Sequence, residues 1–178
     1  MNDVMPYDKR NVVDHFKYWN KEAINAVLEC KAHNFSVAME HWTRDLNIGS
    51  FIRNSNAFAA RETHYIGQRN YDRRGTVGTH HYVRLQHHKS VEDFVTLAKE
   101  KSYTILAVDN VNGAKAIETY DLPEMSMFVF GEESTGITDK MRQAADDLVY
   151  IKQYGSVRSL NAGVASGVVM YEWVKQHG

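Results

Sequence analysis

The sequence predicts an α/β fold in which a parallel sheet is flanked by helices. Short apolar runs such as TILAVDN and MFVFG end in polar residues or glycine, which is typical of buried parallel strands. Between these runs lie stretches whose apolar residues recur every three or four positions, and this spacing predicts helices. Because strands alternate with helices along the chain, a layered α/β architecture follows.

The predicted elements follow one another in a regular order. NKEAINAVLECKAH is predicted to be a helix capped by Asn20, and FSVAMEHW to be a strand. NIGSFIRNSNAF predicts a second helix and THYIG a second strand, which a basic loop follows. VEDFVTLAKEK predicts a helix, and TILAVDN, MFVFG and DLVYIKQ predict three further strands. A helix with Ser159 as its N-cap closes the chain.

Composition indicates an ordinary globular chain. Of its 178 residues, 43% are hydrophobic and 24% are charged, and residues 1–178 are predicted to form one domain with residues 1–33 as an N-terminal helical extension. No apolar run reaches the roughly 18 residues of a membrane span, and the first residues do not resemble a signal peptide. The single cysteine, Cys30, fits a reducing compartment. A cytoplasmic protein without a membrane partner is therefore expected.

A glycine loop, GEESTGIT, follows the strand MFVFG. Its glycines have the spacing of a P-loop, but Ile137 stands where the phosphate-binding lysine is required, which disfavours a nucleotide-binding switch protein. Glu132 and Glu133 would repel phosphates and suit a cationic or neutral ligand. The alternative is a tight turn between a strand and a helix.

The stretch RNYDRRGTVGTHHYVRLQHHK combines arginines with tyrosines. Such a stretch suits RNA phosphates and stacked bases, and the alternative is a solvated loop. The net charge of -1 argues against strong non-specific binding to nucleic acid but permits a local basic patch. Two pairs of adjacent histidines occur here, but neighbours on a strand point to opposite faces and no cysteine is nearby. No metal is expected.

Arg53 in NIGSFIR is predicted to lie on the early turns of a helix, just beyond the end of a strand. Ligands of parallel sheets bind at such ends, so Arg53 would meet a phosphate or orient a hydroxyl. The alternative is a surface arginine.

The last helix has an unusual run of small residues in SLNAGVASGVV. Gly163 and Gly167 are four positions apart and share a face. Either another backbone packs closely there, or the free N–H groups at the start of the helix hold a ligand.

Three motifs, in this order, resemble the SpoU/TrmH family of the SPOUT superfamily of RNA methyltransferases. They are N-x-G-x-x-x-R as NIGSFIR, the glycine–glutamate loop as FVFGEESTGI, and the terminal SLN helix as SLNAGVASG. The resemblance implies S-adenosylmethionine as methyl donor and an RNA ribose 2′-hydroxyl as acceptor, with tRNA as the first expectation and rRNA as the second. It also implies a deep trefoil knot near the C-terminus and a homodimer with the active site at its interface. A catalytically silent RNA-binding module of the same fold is the alternative.

The resemblance also implies roles for single residues. Residues expected to line the cofactor site are Val108, Gly131, Ile151 and Leu160. Residues matching the catalytic pocket are Asn47, Arg53, Glu133, Ser159 and Asn161. The residues expected to bind RNA come instead from the basic stretch, as Arg69, Arg73 and Arg74, together with Arg158. Family proposals make the arginine a general base, but a guanidinium has a pKa above about 12. We favour stabilisation of developing alkoxide charge by Arg53.

Overall fold

Strands and helices alternate around one parallel sheet in the computed structural model, which describes residues 7–40, 47–68, 73–132 and 135–178. The strands in these residues are β1 Ser36–Glu40, β2 Thr63–Ile66, β3 Leu85–His88, β4 Thr104–Val108, β5 Lys115–Ala116, β6 Ser126–Phe130 and β7 Asp147–Tyr150. The helices are α1 Lys21–Cys30, α2 Asn47–Ala57, α3 Val91–Glu100, α4 Asp139–Ala144 and α5 Ala162–His177. All strand pairs are parallel, in the order β3-β2-β1-β6-β4-β7-β5. The predicted parallel sheet flanked by helices is therefore confirmed.

The central strands are buried on both faces. In β1, Val37 and Met39 pack in a core cluster with residues of α2 and α5, whereas Ala38 packs in a second cluster with residues of α3 and α4. This alternation reflects the two-residue period of a strand. It explains why β1, β4 and β6 read as apolar runs without polar alternation.

The predicted N-cap of α1 is confirmed. The side chain of Asn20 accepts a hydrogen bond from the backbone N–H of Ala23 at 2.7 Å. In the same way, Ser90 caps α3 by accepting from the N–H of Asp93. Caps are contacts over three residues, so they can be recognised without knowledge of the tertiary fold.

Two strands differ from the sequence prediction. Strand β3 lies inside the stretch predicted to be a basic loop, and the short strand β5 was not predicted. The sequence of β3, LQHH, has no apolar run because β3 is an edge strand, ordered by pairing with β2 from Thr63↔Leu85 to Ile66↔His88. Within the described residues, no helix is both long and apolar enough to cross a membrane.

Candidate functional site

A pocket lies at the carboxyl edge of the sheet, where β6, β4 and β7 are neighbours. The pairing register sets Val108 beside both Phe130 and Val149, so the three strands end at one level. The segments that follow them, together with residues 158–160 and the first turn of α5, enclose a cavity of about 170 Å³. This is the edge at which parallel α/β sheets bind ligands.

Four residues that the sequence suggested for one binding site meet in this pocket. Val108 ends β4, Gly131 follows β6, Ile151 follows β7, and Leu160 precedes α5, and all four line the cavity. They come from segments up to about fifty residues apart, and only the sheet brings them together. Apolar residues supply much of the wall, and polar or charged residues such as Asp109, Glu132 and Gln153 also line it.

The glycine loop after β6 is held in place by close contact within its own backbone and by two acidic residues, Asp109 and Glu40. A Cβ atom on Gly131 would collide with the backbone of Gly136, so the loop folds tightly onto its own start. The Asp109 carboxylate accepts a hydrogen bond from the N–H of Ile137 at 3.4 Å. Glu133, one of the suggested catalytic residues, lies outside the described residues.

A buried acid anchors the far end of the same loop. The carboxylate of Glu40, at the end of β1, accepts hydrogen bonds from the backbone N–H of Thr138 at 3.0 Å and from its hydroxyl at 2.5 Å. Thr138 in turn caps α4 by accepting from the N–H of Met141. The loop that forms one wall of the pocket is therefore tied to two strands of the sheet.

The start of α5 differs from the prediction. Ser159 does not cap the helix; Asn161 does, since its side chain accepts from the N–H of Val164 at 3.1 Å and α5 begins at Ala162. Ser159 instead lies in the preceding segment, where it lines the pocket. The Asn161 amide also donates to Oδ1 of Asn47 at 2.9 Å, and this contact with α2 explains why the cap is two residues later.

Both glycines of α5 face α2, and side chains of α2, rather than its backbone as predicted, lie closest to them. A Cβ atom on Gly163 would lie 2.9 Å from Cβ of Ser50. The Asn54 amide, one turn further along α2, donates to the carbonyl of Gly163 at 2.8 Å and to Oγ of Ser166 at 3.1 Å. The two helices approach closely enough for side-chain-to-backbone bonds.

Arg53 lies on α2 as predicted but outside the pocket at the sheet edge. Its side chain is exposed and, within the described residues, makes no hydrogen bond or ion pair. It borders a separate groove, formed with residues 11–13, Phe16 and Tyr82. Asn47, six residues earlier, contacts Asn161 instead, so a single chain does not bring all the suggested catalytic residues together.

The basic segment before β3 packs against α2. A Cβ atom on Gly49 would collide with the backbone of Gly75, so this part of the segment touches the start of the helix directly. Arg73 and Arg74 are exposed beside this contact. Arg158 is exposed at the rim of the pocket, and its carbonyl accepts from the Asn110 amide at 3.5 Å. Arg69 lies outside the described residues.

The histidine pairs are held by other side chains and by the backbone. His88 lies in β3 with one ring nitrogen 2.9 Å from that of His64, while its neighbour His87 contacts the carbonyl of Gly67. His80 contacts the hydroxyl of Thr76. Across the described ranges, no group of three or more His, Cys, Asp or Glu residues is arranged to hold a metal ion.

Comparison with known proteins places these motifs in a family. The family model described as "SpoU rRNA Methylase family" matches residues 34–171. The chain belongs to this SpoU family. The match covers β1 to most of α5, and hence every segment that borders the pocket.

Curated relatives of this SpoU-family chain carry a specific name. The tRNA (guanosine(18)-2'-O)-methyltransferase of Escherichia coli K12 is 28% identical over 146 residues, which are 80% of this chain and 64% of that protein. The enzyme of the same name from Thermus thermophilus is 24% identical over 160 residues, covering 88% and 82%. The chain thus spans less than two thirds of the length of the Escherichia coli relative.

Solved structures share the fold. A TrmH/SpoU tRNA modifying enzyme from A. aeolicus superposes with a TM-score of 0.77 at 21% identity, over 88% of this chain and 81% of that one. The SpoU methyltransferase AviRb from Streptomyces viridochromogenes, in complex with the cofactor AdoMet, has a TM-score of 0.71 at 26% identity, over 81% and 58%.

Three residues of the SpoU-family site were not predicted from the sequence. Asp109 and Glu40 hold the glycine loop, and Asn54 joins α2 to α5. Asp109 and Glu40 each stand at the carboxyl end of an apolar strand, a signal that could have identified them. Asn54 has no such signal, because its role depends on the approach of α5.

Proposed function

We propose that the chain is an S-adenosylmethionine-dependent methyltransferase that modifies a ribose 2′-hydroxyl in RNA, with tRNA as the first substrate and rRNA as the second. The observation that carries the proposal is the meeting of Val108, Gly131, Ile151 and Leu160 in one pocket. Membership of the SpoU family supports the reaction, and the names of the Escherichia coli and Thermus thermophilus relatives support tRNA.

The pocket residues fit this cofactor. Apolar side chains from Val108, Ile151 and Leu160 suit the faces of an adenine ring, and the side-chain oxygen of Gln153 is a buried acceptor without a partner in the described residues. The lining also includes the carboxylate of Glu132, whose charge is opposite to that of a sulfonium. S-adenosylmethionine, when bound, supplies an electrophilic methyl group. The chain's task is to orient the acceptor hydroxyl and stabilise its developing negative charge.

Arg53 is the group proposed to stabilise that charge. An exposed guanidinium without a partner in the described part of the chain is available to an RNA phosphate or to an alkoxide. It lies outside the cofactor pocket of its own chain. We therefore propose that the site is completed in a homodimer, in which Arg53 of one subunit serves the pocket of the other.

The outer face of α5 supports this dimer. Val164, Val168 and Tyr171 are 55%, 39% and 59% exposed, although they lie on successive turns of one helix face. A groove continues this surface between α2 and α5. Exposed apolar rows of this kind mark association surfaces. Sedimentation at micromolar concentration should show a dimer, and Val168→Glu should shift it to monomer; a wild-type monomer would contradict the dimer.

The proposal includes a C-terminal trefoil knot. In the sheet, β4 lies between β6 and β7, and the segment that follows β7 borders the loops after both β4 and β6. The contact between Asn110 and the carbonyl of Arg158 lies on this path. These positions support a segment passed through an earlier loop.

The reaction can be tested with methyl-labelled S-adenosylmethionine and bulk tRNA or rRNA. A methylated ribose lacks the 2′-hydroxyl that drives alkaline cleavage, so the label should appear in an alkali-resistant dinucleotide. Label in an alkali-labile mononucleotide would indicate base methylation and contradict the proposed acceptor. An Arg53→Ala chain serves as the negative control. Absence of label with both RNAs, together with absence of cofactor binding, would contradict the proposed function.

A further inference from the structure

Gln153 lines the pocket and carries an unpaired, buried oxygen atom. It lies two residues beyond Ile151, in the segment that leaves β7, and it lines the cavity. Its Oε1 atom is buried and has no hydrogen-bond partner within the described residues. Buried polar atoms are nearly always paired, because an unpaired one loses its bonds to water without replacement. The free chain therefore holds an acceptor that a ligand can satisfy.

The composition of the pocket lining indicates which donor suits this atom. Ile151, Val108 and Leu160 give the same cavity apolar walls. The lining also includes the polar or charged residues Asp109, Asn110, Glu132, Arg158 and Ser159. A polar acceptor in a lining that also offers apolar side chains fits the edge of a flat aromatic ring that carries an N–H group. The ribose hydroxyls and the ammonium group of the proposed cofactor are better matched by the acidic residues of the same lining, Asp109 and Glu132.

We propose that Gln153 is a specificity residue that accepts a hydrogen bond from the exocyclic amine of the adenine ring. The inference rests on the proposed function, since it names one contact within the same cofactor pocket. Gln153 then selects adenine over purines without a donor at that position. When such a purine binds, Oε1 remains buried and unpaired, and affinity falls.

The test is a comparison of two ligands by calorimetry. S-adenosylhomocysteine carries the amine, and its 6-deamino analogue carries hydrogen in its place. The wild-type chain should prefer S-adenosylhomocysteine by about tenfold or more, the scale of one buried hydrogen bond. Gln153→Leu removes the acceptor and should lower this preference at least about fivefold. Gln153→Glu keeps an acceptor oxygen and should retain the preference.

A neighbouring substitution provides the control. Tyr154→Leu alters a residue that is 85% exposed and absent from the pocket lining, so its ligand preference should match the wild type. Equal loss of affinity for both ligands in Gln153→Leu would overturn the assignment, because the contact would then not involve the amine. If Gln153→Leu keeps the wild-type preference for S-adenosylhomocysteine over the 6-deamino analogue, the role of Gln153 is also overturned, but the proposed function is not affected. A wild-type chain that binds neither ligand would overturn both.

Discussion

The amide of Asn161 donates a hydrogen bond to the side-chain oxygen of Asn47 at 2.9 Å and so joins the start of α5 to the start of α2. The same Asn161 side chain accepts from the N–H of Val164 and caps α5. One residue therefore performs two tasks: it begins the last helix, and it fixes that helix against the one that carries Arg53. The geometry of an N-cap uses the side-chain oxygen and leaves the amide nitrogen available for the second task.

Substitutions at Asn161 should separate these tasks. Asn161→Ala removes both hydrogen bonds and should lower the free energy of unfolding by about 1 kcal/mol or more. Asn161→Asp keeps a capping oxygen but cannot donate to Asn47, so it should be less destabilised than alanine while still losing methyl transfer. Thermal unfolding and the labelled-donor assay measure the two effects.

Asn20→Ala is the matched control for Asn161→Ala. It removes the N-cap of α1, whose side chain accepts from Ala23, far from the cofactor pocket along the chain. Asn20→Ala should lower the free energy of unfolding by a similar amount and leave methyl transfer unchanged. Equal stability of the alanine and aspartate variants at Asn161 would show that the cap contributes little.

Gly163→Val should destabilise the chain. The added Cβ would lie 2.9 Å from Cβ of Ser50, and the branched carbons would extend further into α2. Overpacking of this kind costs about 1–3 kcal/mol, which thermal unfolding would detect. Gly155→Val is the control, because nothing lies within 4 Å of its Cβ position. An unchanged melting temperature for Gly163→Val would contradict the close contact.

What the sequence predicts well is local. The cap at Asn20 and the apolar strands β4 and β6 depend on residues a few positions apart, and the structure has them where the pattern indicates. Strand β3 has no local signal because its order comes from pairing with β2.

The site shows the same division between local and tertiary information. The four pocket residues could be named from motifs, but Ser159 was predicted as the cap of α5 on residue type alone. The cap is Asn161, whose side chain also contacts Asn47, 114 residues away in sequence. The separation of Arg53 from the pocket depends on how α2 packs in the folded chain, which spacing along the sequence does not contain.

Stability should fall with acid below about pH 6.5. The pKa of His88 is lowered from 6.5 to about 4, mainly by burial, with further lowering by His64 and His87 against opposing effects of Asp93 and Glu62. The unfolded chain therefore binds a proton between about pH 6.5 and pH 4 that the folded chain does not. Since the unfolded state binds more protons there, the free energy of unfolding should decrease as pH falls through this window.

His88→Gln should reduce this dependence without abolishing it, because burial also lowers the pKa of His64. Glutamine can still bond to the ring nitrogen of His64, which lies 2.9 Å from that of His88, but it does not titrate. Urea unfolding at several pH values between 7 and 4 measures the slope. His81→Gln, at an exposed position, should retain the wild-type slope. A wild-type free energy that is constant from pH 7 to pH 4.5 would contradict the linkage.

Replacing Arg73 and Arg74 by alanine should weaken RNA binding and make it less dependent on salt. Both are exposed beside the start of α2, and removing one phosphate interaction reduces the slope of log affinity against log salt by nearly one. Cofactor affinity should not change. Filter binding at salt concentrations from about 50 to about 200 mM measures the slope of log affinity against log salt. As a control, Lys99 on α3 and Lys140 on α4 are replaced by alanine, which removes an equal charge from the other face of the sheet. This double variant should bind RNA as the wild type does. An unchanged slope for the arginine variant would show that this segment is a solvated loop that does not bind RNA phosphates.

Arg53 carries the sharpest prediction. Its guanidinium is exposed and makes no hydrogen bond or ion pair within the described residues, so alanine removes no such polar contact there. Arg53→Ala should keep the melting temperature and the cofactor affinity and reduce methyl transfer at least about a hundredfold, the scale of removing one charge interaction from the transition state. Arg61→Ala, before β2 at the amino edge of the sheet, is the arginine control and should retain activity.

Arg53→Lys distinguishes the two chemical roles. If Arg53 acts as a cation, lysine should restore part of the rate at neutral pH, limited by its poorer bidentate geometry. If it acts as a base, the lower intrinsic pKa of lysine should give a rate that rises with pH toward about 10. A rate that is independent of pH and intermediate between arginine and alanine would support charge stabilisation. A near-normal rate of methyl transfer for Arg53→Ala would contradict both roles and would show that Arg53 is a surface arginine without a part in the reaction.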